Sequence, residues 1–279
     1  MPYTDFSTLH VDIERGVATV TIDHPPLNVL DAALMTDLDR FAVAVQADEG
    51  VQVIIVQSAD PEFFIAHGDM HFLDDPEAFA TLPLGDLSSP LNPMMRLHER
   101  FRALPQLTIA KLAGLARGGG SEFAMALDLR FAATGRAALG QFEALTGIIP
   151  GAGGTAYLPL LVGRARALEV ILGGELLNAQ QAERYGWINR ALPEDQLDAF
   201  VETLARRIAA LPPGVVAAVK SAVDAALTGT LTDALHLENT LLGELFGRPV
   251  AGERTRAALA AGAQMRDGER DLEGLLNSL

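Results

Sequence analysis

Three consecutive glycines, Gly118, Gly119 and Gly120, lie between an apolar run ending at Leu112 and the helix-patterned run Phe123-Ala124-Met125-Ala126-Leu127. A chain that passes from strand to helix through glycine is committed to a tight βα junction there. Glycine lets the main chain approach a ligand and adopt positive φ, while the free N–H groups of a first helical turn point outward with partial positive charge. An oxygen acquiring negative charge is stabilised at such a place. Glu122 falls in the first turn, so the same spot receives a carboxylate, a candidate acid or base. Taken alone, a glycine cluster equally marks a packing turn.

The surrounding pattern is α/β. Leu9 to Ile13 and Val17 to Ile22 alternate apolar and polar residues around Arg15-Gly16, which predicts a β-hairpin. Asp31 is placed to cap a helix carrying Leu34, Leu38, Phe41 and Val45 at helical spacing, and Val51 to Val56 reads as a buried strand. Strand and helix signals continue to about residue 190. The stretch Asp74 to Leu91 contains Pro76, Pro83, Gly85 and Pro90, and is expected to form a mobile flap outside the sheet. From Pro193 onward the pattern is helical, so residues 1–200 are expected to form the core and 201–279 a helical C-terminal region.

Composition narrows the chemistry. The chain has 279 residues, 49% of them hydrophobic, and a formal net charge of -15, which opposes attraction to nucleic-acid phosphates or anionic lipid. With no cysteine there is no thiolate nucleophile, disulfide or cysteine-ligated metal, so reactive groups must be oxygen, nitrogen or backbone. No apolar run approaches the roughly 18 residues of a membrane span and the N-terminus does not read as a signal peptide, which predicts a cytoplasmic protein. His67 and His71 share i, i+4 spacing without the acidic residue of an H-E-x-x-H motif, and no metal is expected.

The glycine triplet has companions. Phe63-Phe64-Ile65-Ala66-His67-Gly68-Asp69 is a second strand end running into a small-residue turn, and it offers a second backbone amide. Two converging amides are what a thioester carbonyl needs as it becomes an enolate. Glu143 lies one predicted helix and strand beyond Glu122, in an apolar setting that would raise its pKa toward values useful for proton transfer. Ile149-Pro150-Gly151-Ala152-Gly153-Gly154-Thr155 reads as a packing turn.

In this order the segments resemble the enoyl-CoA hydratase/isomerase superfamily, the crotonase family, over residues 8 to 228. The carriers are Phe64 to Asp69, Gly118 to Glu122, Glu143, the Pro150 to Thr155 turn, Leu161 to Ala167 and Ala179 to Arg190. The resemblance implies a crotonase-like ββα spiral core with a C-terminal helical region for oligomerisation and pocket closure, assembled as a homotrimer or dimer of trimers. It implies an oxyanion hole from the amides of Gly68 and Gly119, water activation by Glu122 and proton delivery by Glu143. Ala66, His67, Asp69 and Gly118 would contact substrate. Coenzyme A would enter as part of the substrate, with no permanently bound cofactor. Both glutamates together favour hydration of a 2-enoyl-CoA. Double-bond isomerisation, decarboxylation and thioester hydrolysis share the same hole, and a catalytically silent CoA-binding scaffold is a further alternative. Departures from the family pattern are His67 where glycine is usual, Arg117 before the triplet, where a surface salt bridge is expected, and an arginine-bearing C-terminal segment.

Overall fold

The computed structural model describes residues 3–279. Its first compact unit ends at Ala209 and its second is Ala210–Leu279. The first unit opens with the antiparallel pair β1 (Leu9–Glu14) and β2 (Val17–Ile22), whose turn residues Arg15 and Gly16 have φ of 51° and 80°. Two left-handed residues in succession suit the right-handed twist of a hairpin. Helix α1 (Ala32–Gln46) then starts on Asp31, whose side chain accepts from Leu34 N–H at 2.9 Å.

From there the chain winds as a spiral, each turn giving one strand to each of two sheets. The strands are β3 (Val53–Ser58) and β4 (Phe63–Ile65), β5 (Leu107–Leu112) and β6 (Leu115–Arg117), β7 (Leu129–Ala133) and β8 (Ala138–Gly140), and finally β9 (Leu177–Asn178) and β10 (Arg190–Leu192). The larger sheet has the order β1-β2-β3-β5-β7-β10 and the smaller β4-β6-β8-β9. Between them come α2 (Pro76–Ala80), α3 (Pro93–Arg102), α4 (Gly119–Ala126), α5 (Gly154–Val162), α6 (Arg164–Gly173) and α7 (Ala179–Tyr185), and α8 (Glu194–Ala209) follows the last strand.

Both faces of the larger sheet are covered, which is why β3 is apolar at successive positions rather than alternate ones. Ile54 and Val56 join the main core, whereas Val53 and Ile55 pack with Leu197, Val201 and Ala205 of α8. The far end of α4 is held by the buried Arg130, which donates from Nη1 to the Leu127 carbonyl (2.6 Å) and from Nε to the Trp187 carbonyl (2.9 Å). A cation on the last carbonyls of a helix satisfies both unpaired acceptors and dipole.

The insert before α3 lies outside both sheets, as expected, but it is strapped down. Arg96 donates to the carbonyls of Leu82 (2.8 Å), Leu84 (2.7 Å) and Leu91 (2.8 Å), and Asp39 accepts from Gly85 N–H at 3.1 Å. The breaks in the sequence show where regular structure ends, not that a guanidinium from the next helix ties the carbonyls together.

The second unit consists of α9 (Val215–Thr228), α10 (Leu231–Phe246), α11 (Pro249–Ala260) and α12 (Leu272–Asn277). Its helix α10 leaves Leu231 and Phe246 largely exposed, at 76% and 73%. Among the described residues no helix is long and apolar enough to cross a membrane.

Candidate active site

The two glycine turns meet. Gly119 opens α4, and a Cβ placed on it would lie 3.1 Å from both Cα and N of Gly68, so the backbones meet this closely only because Gly119 carries no side chain. Gly68 is positioned by a parallel bridge to Leu30, in which Leu30 N–H donates to the His67 carbonyl and Asp69 N–H to the Leu30 carbonyl. That bridge uses the groups on either side of Gly68 and leaves its own N–H to face elsewhere. Among the described residues neither the Gly68 nor the Gly119 amide has an acceptor. Both glycines line one cavity of about 250 Å³, together with Glu122 and Glu143. Its apolar walls are Met70, Phe72, Leu73, Phe79, Met94 and Ile148.

Gly118 is where the turn demands glycine. Its φ is 47°, and a Cβ there would stand 2.6 Å from Oε1 of Glu143. The triplet therefore makes room for a carboxylate as well as presenting an amide.

Glu122 is 2% exposed, and its Oε1 accepts from the N–H groups of Ala152 (2.8 Å) and Gly154 (2.7 Å). No hydrogen bond among the described residues falls on Oε2, which leaves that oxygen for a ligand in the cavity. Burial pushes the Glu122 pKa up to about 7; the negative charge of Glu143 adds to the rise, and the Gly154 and Ala152 amides oppose it.

Glu143 begins a 3₁₀ turn after β8 and is 8% exposed. Burial raises its pKa as well, opposed by nearby backbone N–H groups. Beside it the fully buried Gln141 turns its amide nitrogen to the carboxylate, which can only accept, and so donates to Oε1 and Oε2 at 3.2 and 3.0 Å. The site thus holds two carboxylates of raised and coupled proton affinity beside two convergent amides.

The other sequence-predicted residues flank this centre in different ways. Asp69 lines the cavity and caps the following 3₁₀ turn by accepting from His71 N–H at 2.9 Å. Ala66 is buried, its N–H donating to the Asn28 carbonyl at 3.1 Å. His67 packs edge-on against Phe142 with Nδ1 2.8 Å from the Gly68 carbonyl, and lines a second cavity with Arg117. The salt bridge expected for Arg117 does not form: among the described residues it has no carboxylate within ion-pair distance, and Asp69 pairs with His71.

Three groups escape the sequence reading. The Pro150–Thr155 run, expected as a packing turn, instead supplies both amides that hold Glu122, and Gly151 and Ala152 line the cavity. Gln141 reads as an ordinary polar residue two positions before Glu143. Asn92, the cap of α3, lines the cavity and donates to the Gly151 carbonyl at 2.7 Å.

The profile of the enoyl-CoA hydratase/isomerase family matches residues 12–252. A Rhizobium meliloti protein assigned as an enoyl-CoA hydratase is 32% identical over 267 residues, covering 95% of this chain and 98% of its own. The short-chain-enoyl-CoA hydratase of Clostridium acetobutylicum is 29% identical over 87% of this chain and 90% of its own. A crystal structure of a Streptomyces avermitilis protein assigned to the enoyl-CoA hydratases is 47% identical and superposes with a TM-score of 0.75, covering 98% of each chain. With the spiral core, the paired glycine turns and a match spanning nearly its whole length, the chain belongs to the enoyl-CoA hydratase/isomerase family.

Proposed function

We propose that the protein adds water across the 2,3 double bond of a 2-enoyl-CoA. The observation that carries this reading is the convergence on one cavity of two backbone amides without acceptors and two buried carboxylates from different elements. The amides of Gly68 and Gly119 donate to the thioester oxygen, which gains negative charge as the enolate forms. Glu122 takes a proton from water as its oxygen bonds C3, the double-bond electrons move toward the thioester, and Glu143 protonates C2. Ala66, His67, Asp69 and Gly118 surround the oxyanion amides and are the proposed contacts for the rest of the thioester. Both proton-handling groups are side chains, so the step as written uses no bound cofactor; coenzyme A enters with the substrate.

Purified protein should hydrate crotonyl-CoA, read as loss of absorbance of the conjugated thioester. Glu122→Gln and Glu143→Gln should each slow turnover by about 100-fold or more. Wild-type protein as inert as both variants across acyl chain lengths would remove the reading. We further propose assembly as a homotrimer or dimer of trimers, supported by the exposed Leu231 and Phe246 of α10. Light scattering on the purified protein tests it, and a monomer at micromolar concentration would overturn it.

A further inference from the structure

We infer that His98 is a positioning residue for Glu122, acting through the backbone of Ala152. The inference rests on the proposed role of Glu122 in hydration. Helix α3 buries Leu97, His98 and Phe101 on one face, with the His98 ring 5.6 Å from that of Phe123 in α4. His98 is fully buried, and its Nδ1 lies 2.8 Å from the Ala152 carbonyl oxygen. A carbonyl only accepts, so Nδ1 carries the proton, and Nε2, with its lone pair, has no partner among the described residues. An apolar side chain would do away with the unpaired Nε2 but would leave the buried Ala152 carbonyl without its donor. What His98 gives in return is a hold on Ala152.

That hold matters because of what Ala152 does with its other end. Its N–H donates to Oε1 of Glu122 at 2.8 Å, so Ala152 is gripped through its carbonyl by α3 and grips the carboxylate through its amide. The turn around it is conformationally free by sequence, with Gly151, Gly153 and Gly154 as neighbours and φ of 112° at Gly153. Helix α3 removes that freedom at two successive carbonyls: Asn92 takes that of Gly151 at 2.7 Å, and His98 that of Ala152. Burial holds the His98 pKa down at about 4, so the ring stays neutral and the clamp does not open at neutral pH.

The titratable groups facing Glu122 are Glu143 and Tyr157, the latter bonded to Glu99 and lying under Arg102. Among the described residues His98 makes no hydrogen bond to any of these groups, and its one polar bond toward Glu122 runs through the Ala152 carbonyl, so a substitution at 98 reaches the carboxylate through the turn. Freed of its clamp, the Ala152 amide no longer favours the Glu122 carboxylate, and the Glu122 pKa rises.

The test compares His98→Leu, which cannot donate, with His98→Asn, whose amide nitrogen sits near the place of Nδ1. In the pH dependence of crotonyl-CoA hydration, His98→Leu should move the limb near pH 7 upward by about one unit and lower kcat about tenfold, leaving KM little changed. His98→Asn should return both toward wild type. A folded His98→Leu with the wild-type limb and kcat overturns the inference, and so does equal behaviour of the two variants. Should His98→Leu fail to fold, ¹⁵N NMR of the wild-type ring decides: a proton on Nδ1 is expected, and a proton on Nε2 overturns the clamp. Glu122→Gln is the separate control. If it keeps the wild-type rate and limb, the reading of Glu122 fails, whatever His98 does.

Discussion

The backbone N–H of Gly154 donates to Oε1 of Glu122 at 2.7 Å, across 32 residues of sequence. The turn that looks like packing is therefore half of the machinery that sets the proton affinity of a buried carboxylate. Two amides pull the Glu122 pKa down while burial and Glu143 push it up, and the balance falls at about 7. Two interacting carboxylates lose their protons in macroscopic steps that belong to the pair.

The pair is active when it holds one proton and that proton sits on Glu143, leaving Glu122 ionised as the base. The value of about 7 includes the push from ionised Glu143, so it marks loss of the last proton. The expected profile of kcat/KM is a bell: activity falls as pH rises through about 7, where the pair loses its last proton, and falls again on the acid side, where both groups are protonated and Glu122 can no longer accept one. Glu122→Gln should abolish the limb near 7. A flat profile between pH 6 and pH 9 would contradict the coupled pair.

The same burial has a cost in stability. A carboxyl group whose folded pKa is raised from 4.5 to about 7 stabilises the fold fully below the unfolded pKa, and that contribution is lost as pH rises through the folded value. Across this window the loss is on the order of 3 kcal/mol. Glu122→Gln keeps an oxygen for the two amides but never ionises. Its melting temperature should match wild type near pH 4.5 and exceed it by several degrees at pH 8. Thermal melts of both proteins at the two pH values check this, and a constant difference would show that ionisation of Glu122 is not its source.

The glycines divide by what their missing side chains would meet. On Gly119 a Cβ would press the Gly68 backbone at 3.1 Å, whereas on Gly68 it would meet the Cε of Met94 at 3.2 Å. Backbone cannot give way as the tip of a methionine can. Gly119→Ala should therefore lower kcat by about 100-fold through displacement of an oxyanion donor, and Gly68→Ala should remain within about threefold of wild type. Steady-state kinetics of the two variants side by side decide it, and equal losses would mean that the two turns do not meet as described.

Much of this site is legible in the sequence, because its groups lie at junctions that leave local marks. A glycine triplet between strand and helix, and a second small-residue strand end, both announce amides without partners. The hold on Glu122 is illegible for a physical reason: Ala152 and Gly154 contribute only backbone, which has no residue-type signature. Gln141 and His98 are hidden differently, since each is an ordinary polar residue until the spiral brings it against a carboxylate or a carbonyl. The fold follows the same division. The hairpin, the buried strand β3 and the cap Asp31 come from local pattern, but the ordering of strands into two sheets comes from long-range pairing such as β5 with β7.

Phe72 and Phe79 pack with ring centroids 4.6 Å apart just before the segment that Arg96 ties down, and both line the cavity wall. Arg96 makes its three carbonyl bonds from α3, so it fixes the segment beyond Phe79 without touching the amides or carboxylates of the reacting centre. Arg96→Met keeps much of the aliphatic stem and removes all three bonds, at about 2–3 kcal/mol of local stability for a partly exposed guanidinium. Local opening of residues 76–91 should then show as faster amide exchange confined to that stretch. Because the wall contacts substrate and transition state alike, KM for a longer acyl chain should rise several-fold while kcat stays near wild type. A fall in kcat with unchanged KM would mean instead that the strap shapes the oxyanion turns themselves.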